Sequence, residues 1–268
     1  MNDKIAVIGS GMMGGAIIKS LLKAGYAGKI TAVDIALERL KEFESLGVKT
    51  SSDNRKAAAD ADVVFIIVKP GDVGKVLKEI SSQIKDKLLI SVAGTVPLKF
   101  LRRNAPEARI VRIMPNLGAM VQAAYTAYCC EPNVTAQEKE KVKTLLNMFG
   151  ICEELDEKYM DAITAVSGSG PGYMSIIVEA LEYAGLKVGL PRNIALTCAA
   201  QTMMGTAKLV LDLHEEPAKI KDMTTTPGGT TIEAIHQIEQ SQIRPAMIRA
   251  IEEATKKSQE IREKLNLN

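Results

Sequence analysis

The pattern of apolar and polar positions changes near residue 160 of the chain. Before it, short apolar runs of four to six residues alternate with stretches in which apolar residues recur at helical spacing. Short apolar runs are typical of strands buried on both faces, and their alternation with helices predicts a parallel, doubly wound sheet. The predicted strands are 5–8, 30–33, 63–68, 88–92, 110–114 and 125–129, and the predicted helices between them include 37–46, 73–84 and 137–149.

The later part of the chain has no strand-like pattern and predicts helices only. Proline and glycine residues lie where these helices begin or end, as at Pro171, Gly185 and Pro217. The predicted helices are 173–184, 194–213, 230–239 and 245–264. We therefore predict an α/β protein with an N-terminal Rossmann-type domain over residues 1–160 and an all-helical domain over residues 161–268.

Several of the predicted C-terminal helices are apolar on most of their faces. Residues 194–207 carry no charge and include Met203 and Met204. A helix that is apolar all round must be buried, and a domain of this size has too little interior to enclose several such helices. We therefore expect an intertwined homodimer formed through these helices, with a compact monomeric bundle as the alternative.

Composition and charge argue against several other classes of protein. Hydrophobic residues make up 46% and charged residues 25% of the chain, and the net charge of +2 gives no reason to expect nucleic acid or an anionic membrane as a partner. The longest uncharged stretch, 113–130, contains Pro115 and Asn116, which do not suit a membrane span. The first strand begins too early to leave room for a signal peptide. Since four cysteines and two histidines show no metal-binding spacing, we expect a cytoplasmic protein with reduced thiols and no metal site.

A glycine-rich turn joins the first predicted strand to the helix that follows it. Gly9, Gly11 and Gly14 have the spacing of a dinucleotide-binding turn: the first makes the tight turn, the second admits a pyrophosphate and the third lets helix and strand pack closely. Asp34 ends the next strand, 20 residues after Gly14, where an acidic residue would hold the ribose hydroxyls and favour NADH over NADPH. A glycine turn that binds nothing is the alternative. The candidate cofactor contacts here are Ile8, Gly9, Ser10, Gly11, Met12, Met13, Gly14 and Asp34.

Two further segments follow predicted strands and are candidates for the nicotinamide side of a dinucleotide. Ligands of open α/β sheets bind at the carboxyl ends of the strands, which points to Val68, Lys69, Pro70, Ala93 and Gly94. Lys69 could order the cofactor or donate a proton, and a surface lysine without a role is the alternative. Asn54 follows a short polar loop and is a candidate contact for the adenosine end.

An uncharged threonine-rich loop, residues 224–231, joins two predicted helices. Pro227 suits a first helical turn, and Gly228 and Gly229 let the backbone approach a ligand closely. Free backbone N–H groups at the start of the next helix would point at an anion, and the threonine hydroxyls could donate further hydrogen bonds. The loop therefore predicts a site for a small carboxylate; a threonine N-cap that only begins a helix is the alternative.

Together these residues resemble the pyrroline-5-carboxylate reductase family over nearly the whole chain. The most specific part of the resemblance lies in residues 161–173, 189–192, 221–222 and 226–231, and the glycine turn and residues 68–70, 93–94 and 114–116 match the same family in order. The resemblance implies reduction of 1-pyrroline-5-carboxylate to proline with NAD(P)H, the last step of proline biosynthesis. It also implies a helical dimerisation domain, with dimers often assembled into a decamer. The chain departs from the family pattern at Gly71, Leu117, Gly118 and Met223.

The residues suit reduction of a cyclic imine better than reduction of a carbonyl. Hydride transfer to a carbonyl calls for a placed acid, but His214 and His236 lie in no strong motif. An imine nitrogen is basic enough to be largely protonated near neutrality, so the site has to orient the iminium ion and exclude water. We assign the substrate carboxylate to the N–H groups of 228–230 and the ring nitrogen to the hydroxyl of Thr231, the predicted catalytic residue. The substrate-binding candidates are Thr226, Gly228, Gly229, Thr230, Thr231 and Glu157, with Asp161 as a further residue that could shape the site.

Two other functions stay open from the sequence. A β-hydroxyacid dehydrogenase is also a Rossmann reductase with a helical C-terminal domain, and residues 167–170 superficially resemble that family, although no lysine–asparagine helix motif follows to supply its acid. A non-catalytic nucleotide-binding scaffold is the other, but a scaffold would not need a carboxylate pocket in the threonine loop.

Overall fold

The computed structural model describes residues 2–267. The strands are β1 (Ile5–Ile8), β2 (Ile30–Val33), β3 (Lys49–Ser51), β4 (Val63–Ile66), β5 (Leu88–Ser91), β6 (Arg109–Met114), β7 (Ala124–Cys130) and β8 (Gly150–Glu154). The helices are α1 (Met12–Lys23), α2 (Leu37–Ser45), α3 (Asn54–Asp60), α4 (Val73–Ile80), α5 (Leu98–Asn104), α6 (Ala136–Leu146), α7 (Met160–Ile163), α8 (Gly170–Lys187), α9 (Arg192–Leu213), α10 (Pro217–Met223), α11 (Thr230–Glu239) and α12 (Ile243–Lys264). A π-helical turn, Thr164–Gly168, lies between α7 and α8.

The strands form one sheet in the order β3-β2-β1-β4-β5-β6-β7-β8. Strands β1 to β6 are parallel, which confirms the predicted doubly wound fold. The sheet is nevertheless mixed, because β7 pairs antiparallel with β6, and β8 pairs parallel with β7. The sheet is thus mostly parallel, with one antiparallel pairing at this end. The connection from β6 to β7 holds only the short turn Leu117–Val121, whereas a parallel crossover needs roughly a dozen residues or more.

Several elements lie outside the predicted pattern, for a shared physical reason. Strands β3 and β8 are the two edges of the sheet and carry exposed or half-exposed side chains, so they show no apolar run. Helices α3, α5, α7 and α10 have at most seven residues each, too few to show a helical period. Strand β4 ends at Ile66, so Val68 belongs to the loop that follows rather than to the predicted strand 63–68.

Strand residues alternate between two apolar cores, one on each face of the sheet. In β1, Ile5 and Val7 lie in the core that includes residues of α1, α2 and α6, whereas Ala6 and Ile8 lie in the core that includes residues of α3, α4 and α5. Each large aliphatic side chain buried in this way stabilises the fold by roughly 1.5–3 kcal/mol. The two cores hold the carboxyl ends of the strands rigidly in place, which is where the cofactor candidates lie.

The contacts within the chain divide it into two compact units. The first, here called the sheet unit, comprises the residues up to Ser169 and those from Glu253 onward; the second, here called the helical unit, is Gly170–Glu252. Residues 161–169 and the last part of α12 therefore pack with the sheet, although the sequence places both in the helical domain. The domain limits 1–160 and 161–268 stay a prediction.

The helical unit is closely packed at one place and open elsewhere. Helices α8 and α9 meet at Gly185, where a Cβ would lie 2.8 Å from the Cβ of Ala195. Among the described residues of this unit, the buried ones are Gly170, Ala195, Ala199 and Ile220. Large apolar side chains are exposed instead, and α9 is long and apolar enough to span a membrane by length and composition. Within this one chain, the apolar faces of the unit are not covered.

Candidate active site

The glycine turn has the conformation that its sequence predicts. Gly9 has a φ of 98°, and a Cβ there would collide with the carbonyl group of Ile67. A Cβ on Gly14 would collide with the carbonyl of Gly9, so α1 can approach β1 this closely only with glycine at that position. At Gly11 the nearest atom is Nη1 of Arg39, 3.7 Å from where a Cβ would lie, which leaves room for a phosphate group.

The start of α1 offers hydrogen-bond donors to such a phosphate. Gly11 is the N-cap, and no side chain caps the helix, so the N–H groups of Met12 and Met13 have no side-chain acceptor. Ser10 is buried, and its hydroxyl contacts the main chain of β1 and β2 instead. A cavity of about 330 Å³ lies beside this turn, between the start of α1 and α2. The residues thus fit a bound dinucleotide, because free N–H groups at a helix start favour an anion.

Main-chain hydrogen bonds bring the predicted cofactor segments to one edge of the sheet. The N–H of Gly9 donates to the carbonyl of Val33 at 2.8 Å, and the N–H of Ile67 donates to the carbonyl of Ile8 at 2.8 Å. The N–H of Val92 donates to the carbonyl of Ile66 at 2.9 Å. The glycine turn therefore lies between Asp34 on one side and the segments 68–70 and 93–94 on the other. In open α/β sheets this position, where the strand order reverses between β1 and β4, is the ligand-binding crevice.

Asp34 follows β2 with its carboxylate almost fully buried. Its Oδ1 accepts a hydrogen bond of 2.8 Å from the N–H of Ala36, and its Oδ2 lies 3.4 Å from Nη1 of Arg39. The Arg39 side chain is 60% exposed and also lies over Gly11. A carboxylate and a cation therefore stand side by side at the predicted ribose position, so both can act on the group attached to the adenosine ribose.

The other cofactor candidates differ in their surroundings. Lys69 is exposed and has no ion pair within residues 2–267, and Pro70 begins a short turn after it. Ala93 is buried, and a Cβ on Gly94 would lie 2.7 Å from the sulfur of Met114. The side-chain amide of Asn54 donates to Glu79 at 3.0 Å, so its predicted contact with the adenosine end requires that this bond be shared or given up.

The threonine loop ends in an uncapped helix start, as the carboxylate hypothesis requires. Gly229 is the N-cap of α11 and no side chain caps this helix, so no threonine serves as its N-cap. Gly228 has a φ of 68°, and a Cβ on Gly229 would collide with Oγ1 of Thr226. The loop thus needs both glycines, and it leaves the first N–H groups of α11 open to an anion.

The hydroxyl groups of this loop fall into two sets. Those of Thr224 and Thr225 donate to the carbonyl of Lys221 at 2.9 and 2.8 Å, which ties them to the end of α10. Within the described residues, 2–267, the hydroxyls of Thr226, Thr230 and Thr231 make no hydrogen bond. These three hydroxyls are therefore the ones available to a ligand at the start of α11.

Glu157 and Asp161 are held by other residues of the sheet unit. Oε1 of Glu157 accepts from the N–H of Leu98 at 2.6 Å and from Nη1 of Arg112 at 2.7 Å. The Asp161 carboxylate accepts from Ser258 at 2.7 Å and from Arg262 at 2.8 Å, which ties the end of α12 to the sheet unit. Arg112 is not among the residues predicted above, although a charge within the apolar run 110–114 is the signal that could have identified it.

Two segments of the family-like sequence pack against each other within the sheet unit. The amide of Asn116 donates to the hydroxyl of Ser167 at 3.0 Å. A Cβ on Gly168 would collide with the terminal methyl group of Met114, so the π-helical turn approaches β6 only because this residue is glycine. π-Helical turns within α-helices frequently lie at functional sites. Residues 114–116 and 164–168 are therefore parts of one structure, although the sequence separates them.

Comparisons with known proteins agree over the whole chain. Residues 157–261 match the family model described as pyrroline-5-carboxylate reductase dimerisation, and residues 4–95 match the model described as NADP oxidoreductase, coenzyme F420-dependent. The pyrroline-5-carboxylate reductase of Methanosarcina acetivorans is 36% identical over 268 residues, covering 98% of this chain and 99% of that protein.

Solved structures give the same result. The pyrroline-5-carboxylate reductase of Coxiella burnetii is 32% identical with a TM-score of 0.89, covering 97% of this chain and 98% of that one. The pyrroline carboxylate reductase of Plasmodium falciparum, whose structure has NADP bound, is 30% identical with a TM-score of 0.86, covering 96% and 97%.

These likenesses extend over both the glycine turn and the threonine loop, and they do not favour the alternative of a β-hydroxyacid dehydrogenase. One matched segment contains the uncapped start of α1, and the other contains the uncapped start of α11. With more than a third of its residues identical to a relative along nearly the full length of both, the chain belongs to the pyrroline-5-carboxylate reductase family and is an oxidoreductase.

Proposed function

We propose that this chain reduces 1-pyrroline-5-carboxylate to L-proline, the last step of proline biosynthesis, with NAD(P)H as the hydride donor. The observation that carries the proposal is the start of α11, where free N–H groups and three unpartnered threonine hydroxyls meet a pair of glycines in a chain of this family. A small carboxylate is the ligand that such a helix start prefers. An amino-acid-like substrate supplies that carboxylate.

The reaction needs an oriented iminium ion rather than a strong protein acid. Hydride from the dihydronicotinamide adds to the ring carbon of the protonated C=N bond, and the electron pair of that bond moves to nitrogen, giving proline and NAD(P)⁺. The N–H groups of Gly228 and Thr230 and the hydroxyls of Thr226 and Thr230 bind the carboxylate, since the N–H of Gly229 already donates to the carbonyl of Thr226 at 3.0 Å. The hydroxyl oxygen of Thr231 accepts a hydrogen bond from the ring N–H, which fixes the face presented to the hydride.

The nicotinamide dinucleotide would be held by the sheet unit. The glycine turn, Ile8–Gly14, receives the pyrophosphate, Asp34 and Asn54 lie toward the adenosine end, and the nicotinamide side is lined by Val68, Lys69, Pro70, Ala93 and Gly94. Lys69 orders the cofactor, because its exposed side chain is the one cation within these two segments.

NADH is the preferred donor in this proposal. A 2′-phosphate would face the buried Asp34 carboxylate, and like charges at close range cost about 1–4 kcal/mol at the effective dielectric of a protein surface. Within that range we expect a preference for NADH in kcat/KM of roughly ten- to a hundredfold. Arg39 acts in the opposite direction, because its guanidinium group, 3.4 Å from Asp34, could pair with a phosphate.

The working assembly is a homodimer formed through the C-terminal helices, with further association into a decamer, in the cytoplasm. The support for a dimer is the exposed apolar surface of the helical unit, which extends over α8, α9 and α12. Burying that surface against a second copy of the chain removes it from water without any other partner.

A direct assay tests the proposed reaction. The purified full chain should oxidise NADH when 1-pyrroline-5-carboxylate is added and should not reduce NAD⁺ when a 3-hydroxy acid is added. The product, proline, is identified by chromatography. Activity with the hydroxy acid alone would assign the chain to the hydroxyacid dehydrogenases, and activity with neither substrate would favour a nucleotide-binding scaffold.

A further inference from the structure

Arg112 is an ionised side chain in the middle of an apolar strand. It lies in β6 with 1% of its side chain exposed, between the buried residues Val111 and Ile113. A guanidinium group keeps its charge in proteins, and burying a charge is costly unless it is paired and hydrogen-bonded. The site must therefore supply specific partners, and their identity indicates what the residue does.

The Arg112 guanidinium has two partners. One lies in the loop between β5 and α5, and the other holds the end of that loop. Nη2 donates to the carbonyl of Gly94, and Nη1 donates to Oε1 of Glu157 at 2.7 Å. The same oxygen of Glu157 accepts from the N–H of Leu98, the first residue of α5, at 2.6 Å. One buried arginine thus holds this loop at Gly94 directly and at Leu98 through Glu157.

The surroundings leave the loop little freedom to move. Gly94 packs so closely on Met114 that a Cβ would lie 2.7 Å from the sulfur, and Thr164 Oγ1 lies 3.6 Å from the same position. Cys129 is opposite Arg112 in the sheet, and burial, followed by the nearby Glu157 carboxylate, raises the pKa of its thiol to about 12. The guanidinium group therefore lies in the buried interior, where hydrogen bonds are strong, while the Glu157 side chain is partly exposed.

We propose that Arg112, together with Glu157, is a positioning residue that fixes the loop 92–98 against the nicotinamide ring of the bound dinucleotide. The inference rests on the proposed function, which places Ala93 and Gly94 on the nicotinamide side. Within residues 2–267, neither Arg112 nor Glu157 makes a hydrogen bond with the glycine turn or with Asp34. The pair therefore acts on the nicotinamide end of the cofactor and leaves the adenosine end alone.

The test compares the binding of NADH with that of ADP-ribose, which carries the adenosine, the pyrophosphate and a ribose but has no nicotinamide. Both dissociation constants are measured by calorimetry on the full chain without the pyrroline substrate, so a direct contact of Glu157 with that substrate cannot contribute. In Glu157→Ala the dissociation constant of NADH should rise about tenfold, the size expected for one charge-assisted hydrogen bond, while that of ADP-ribose stays within about twofold. Glu157→Gln keeps an acceptor for both donors and should restore most of the loss.

A second variant and a matched control complete the experiment. Arg112→Lys keeps the charge but replaces the two guanidinium nitrogens that bond Glu157 and Gly94 with a single ammonium group on a different stem, and it should reproduce the effect of Glu157→Ala. Because a buried substitution at 112 can prevent folding, Glu157, with 34% of its side chain exposed, carries the test if it does. The control is Glu131→Gln, which removes the carboxylate charge of another pair, with Arg102 at 3.2 Å, and should leave both ligands unchanged.

Each outcome separates the inference from the proposed function. Equal weakening of NADH and ADP-ribose, or no weakening of either, overturns the positioning role. Selective loss of NADH binding in a chain that does not reduce 1-pyrroline-5-carboxylate supports the positioning role and overturns the reaction. A wild-type chain that binds neither ligand overturns both.

Discussion

The sheet unit and the helical unit bury very different shares of their apolar side chains. In the sheet unit the residues of β1, β4 and β5 are all buried, and helices cover both faces. In the helical unit, four of the described residues between 170 and 252 are buried, two of them alanines and one a glycine. The low burial does not reflect a polar sequence, since α9 reaches a mean hydropathy of 1.3 over 18 residues.

This difference indicates what each unit can do alone. The sheet unit has its own two cores and can hold a dinucleotide on a rigid edge. The helical unit leaves large side chains such as Ile176 and Leu211 exposed, at 62% and 57%, so a large part of its stabilisation has to come from another surface. Because the threonine loop belongs to this second unit, the proposed substrate site should depend on assembly, whereas the proposed cofactor site should depend mainly on the packing within one chain.

The largest expected effect tests this dependence on assembly. Replacing Ile176 and Met204, on α8 and α9, by aspartate in the same full chain places unpaired carboxylates on the exposed apolar faces. We expect the dissociation constant of the oligomer, measured by sedimentation, to rise at least about a hundredfold. Leu46→Asp, a matched change of a 48% exposed leucine on the sheet unit, should leave assembly unchanged. A wild-type chain that is a well-folded monomer at micromolar concentration would remove the basis of the comparison.

The threonine loop provides the next largest effect. Thr231→Ala removes a hydroxyl that makes no hydrogen bond within residues 2–267 and is proposed to contact the ring nitrogen. A hydrogen bond to a charged group contributes about 1.5–3 kcal/mol, so kcat should fall roughly ten- to a hundredfold while NADH binding is kept. Thr225→Ala is the control, because the Thr225 hydroxyl bonds to the Lys221 carbonyl instead. Unchanged steady-state rates in Thr231→Ala would exclude the residue from the mechanism.

The next effect concerns the sheet unit and tests whether Asp34 determines the preference for NADH over NADPH. Asp34→Ser removes the carboxylate that would repel a 2′-phosphate, so the ratio of kcat/KM for NADH to that for NADPH should fall about tenfold or more. The change should come mainly from better use of NADPH, and adding Arg39→Ala should reverse that gain. If the wild type already prefers NADPH, or if Asp34→Ser leaves the ratio unchanged, Asp34 does not discriminate between the 2′-hydroxyl and the 2′-phosphate of the adenosine ribose.

The smallest expected effect is a loss of stability at alkaline pH. It arises from buried groups of the sheet unit. Burial raises the pKa of Cys129 to about 12 and that of Cys130 to about 11, against 9.0 for an ordinary thiol. Burial likewise raises the pKa of Tyr125 and Tyr128 to about 12, against 10.0. All four lie on β7 of the sheet unit. Between the ordinary and the raised pKa the folded state binds more protons than the unfolded state, so stability falls as the pH rises above about 9.

Urea unfolding followed by near-ultraviolet circular dichroism checks this expectation, because the signal reports the packing around the tyrosines. The free energy of unfolding should be lower at about pH 10.5 than at about pH 8. Cys129→Ala should reduce the difference, since it removes one of the groups that must ionise. A free energy of unfolding that rises over this range would contradict the burial of these side chains.

Local patterns of the chain determine much of this architecture. The bounds of β1 and β2 and of α11 follow directly from the sequence, because an apolar run between polar breakers or a helical period after two glycines has few alternative conformations. The roles of Gly9 and Gly14 could also be predicted, since their spacing dictates the tight turn and the close helix packing. The edge strands β3 and β8 could not be predicted, because a strand that faces water along one side needs no apolar run.

What the sequence determined by itself is the doubly wound fold and the family, together with a predicted cofactor edge of the sheet, since these depend on short-range periodicity and on motifs that lie close together along the chain. The tertiary structure alone decided which polar side chains meet. The hydroxyls of Thr224 and Thr225 are tied to α10 while that of Thr231 is not, and Arg112, Gly94, Leu98 and Glu157 form one network although the chain separates them widely. Such pairings depend on how distant segments are brought together by packing, and no local pattern records the partner of a buried charge.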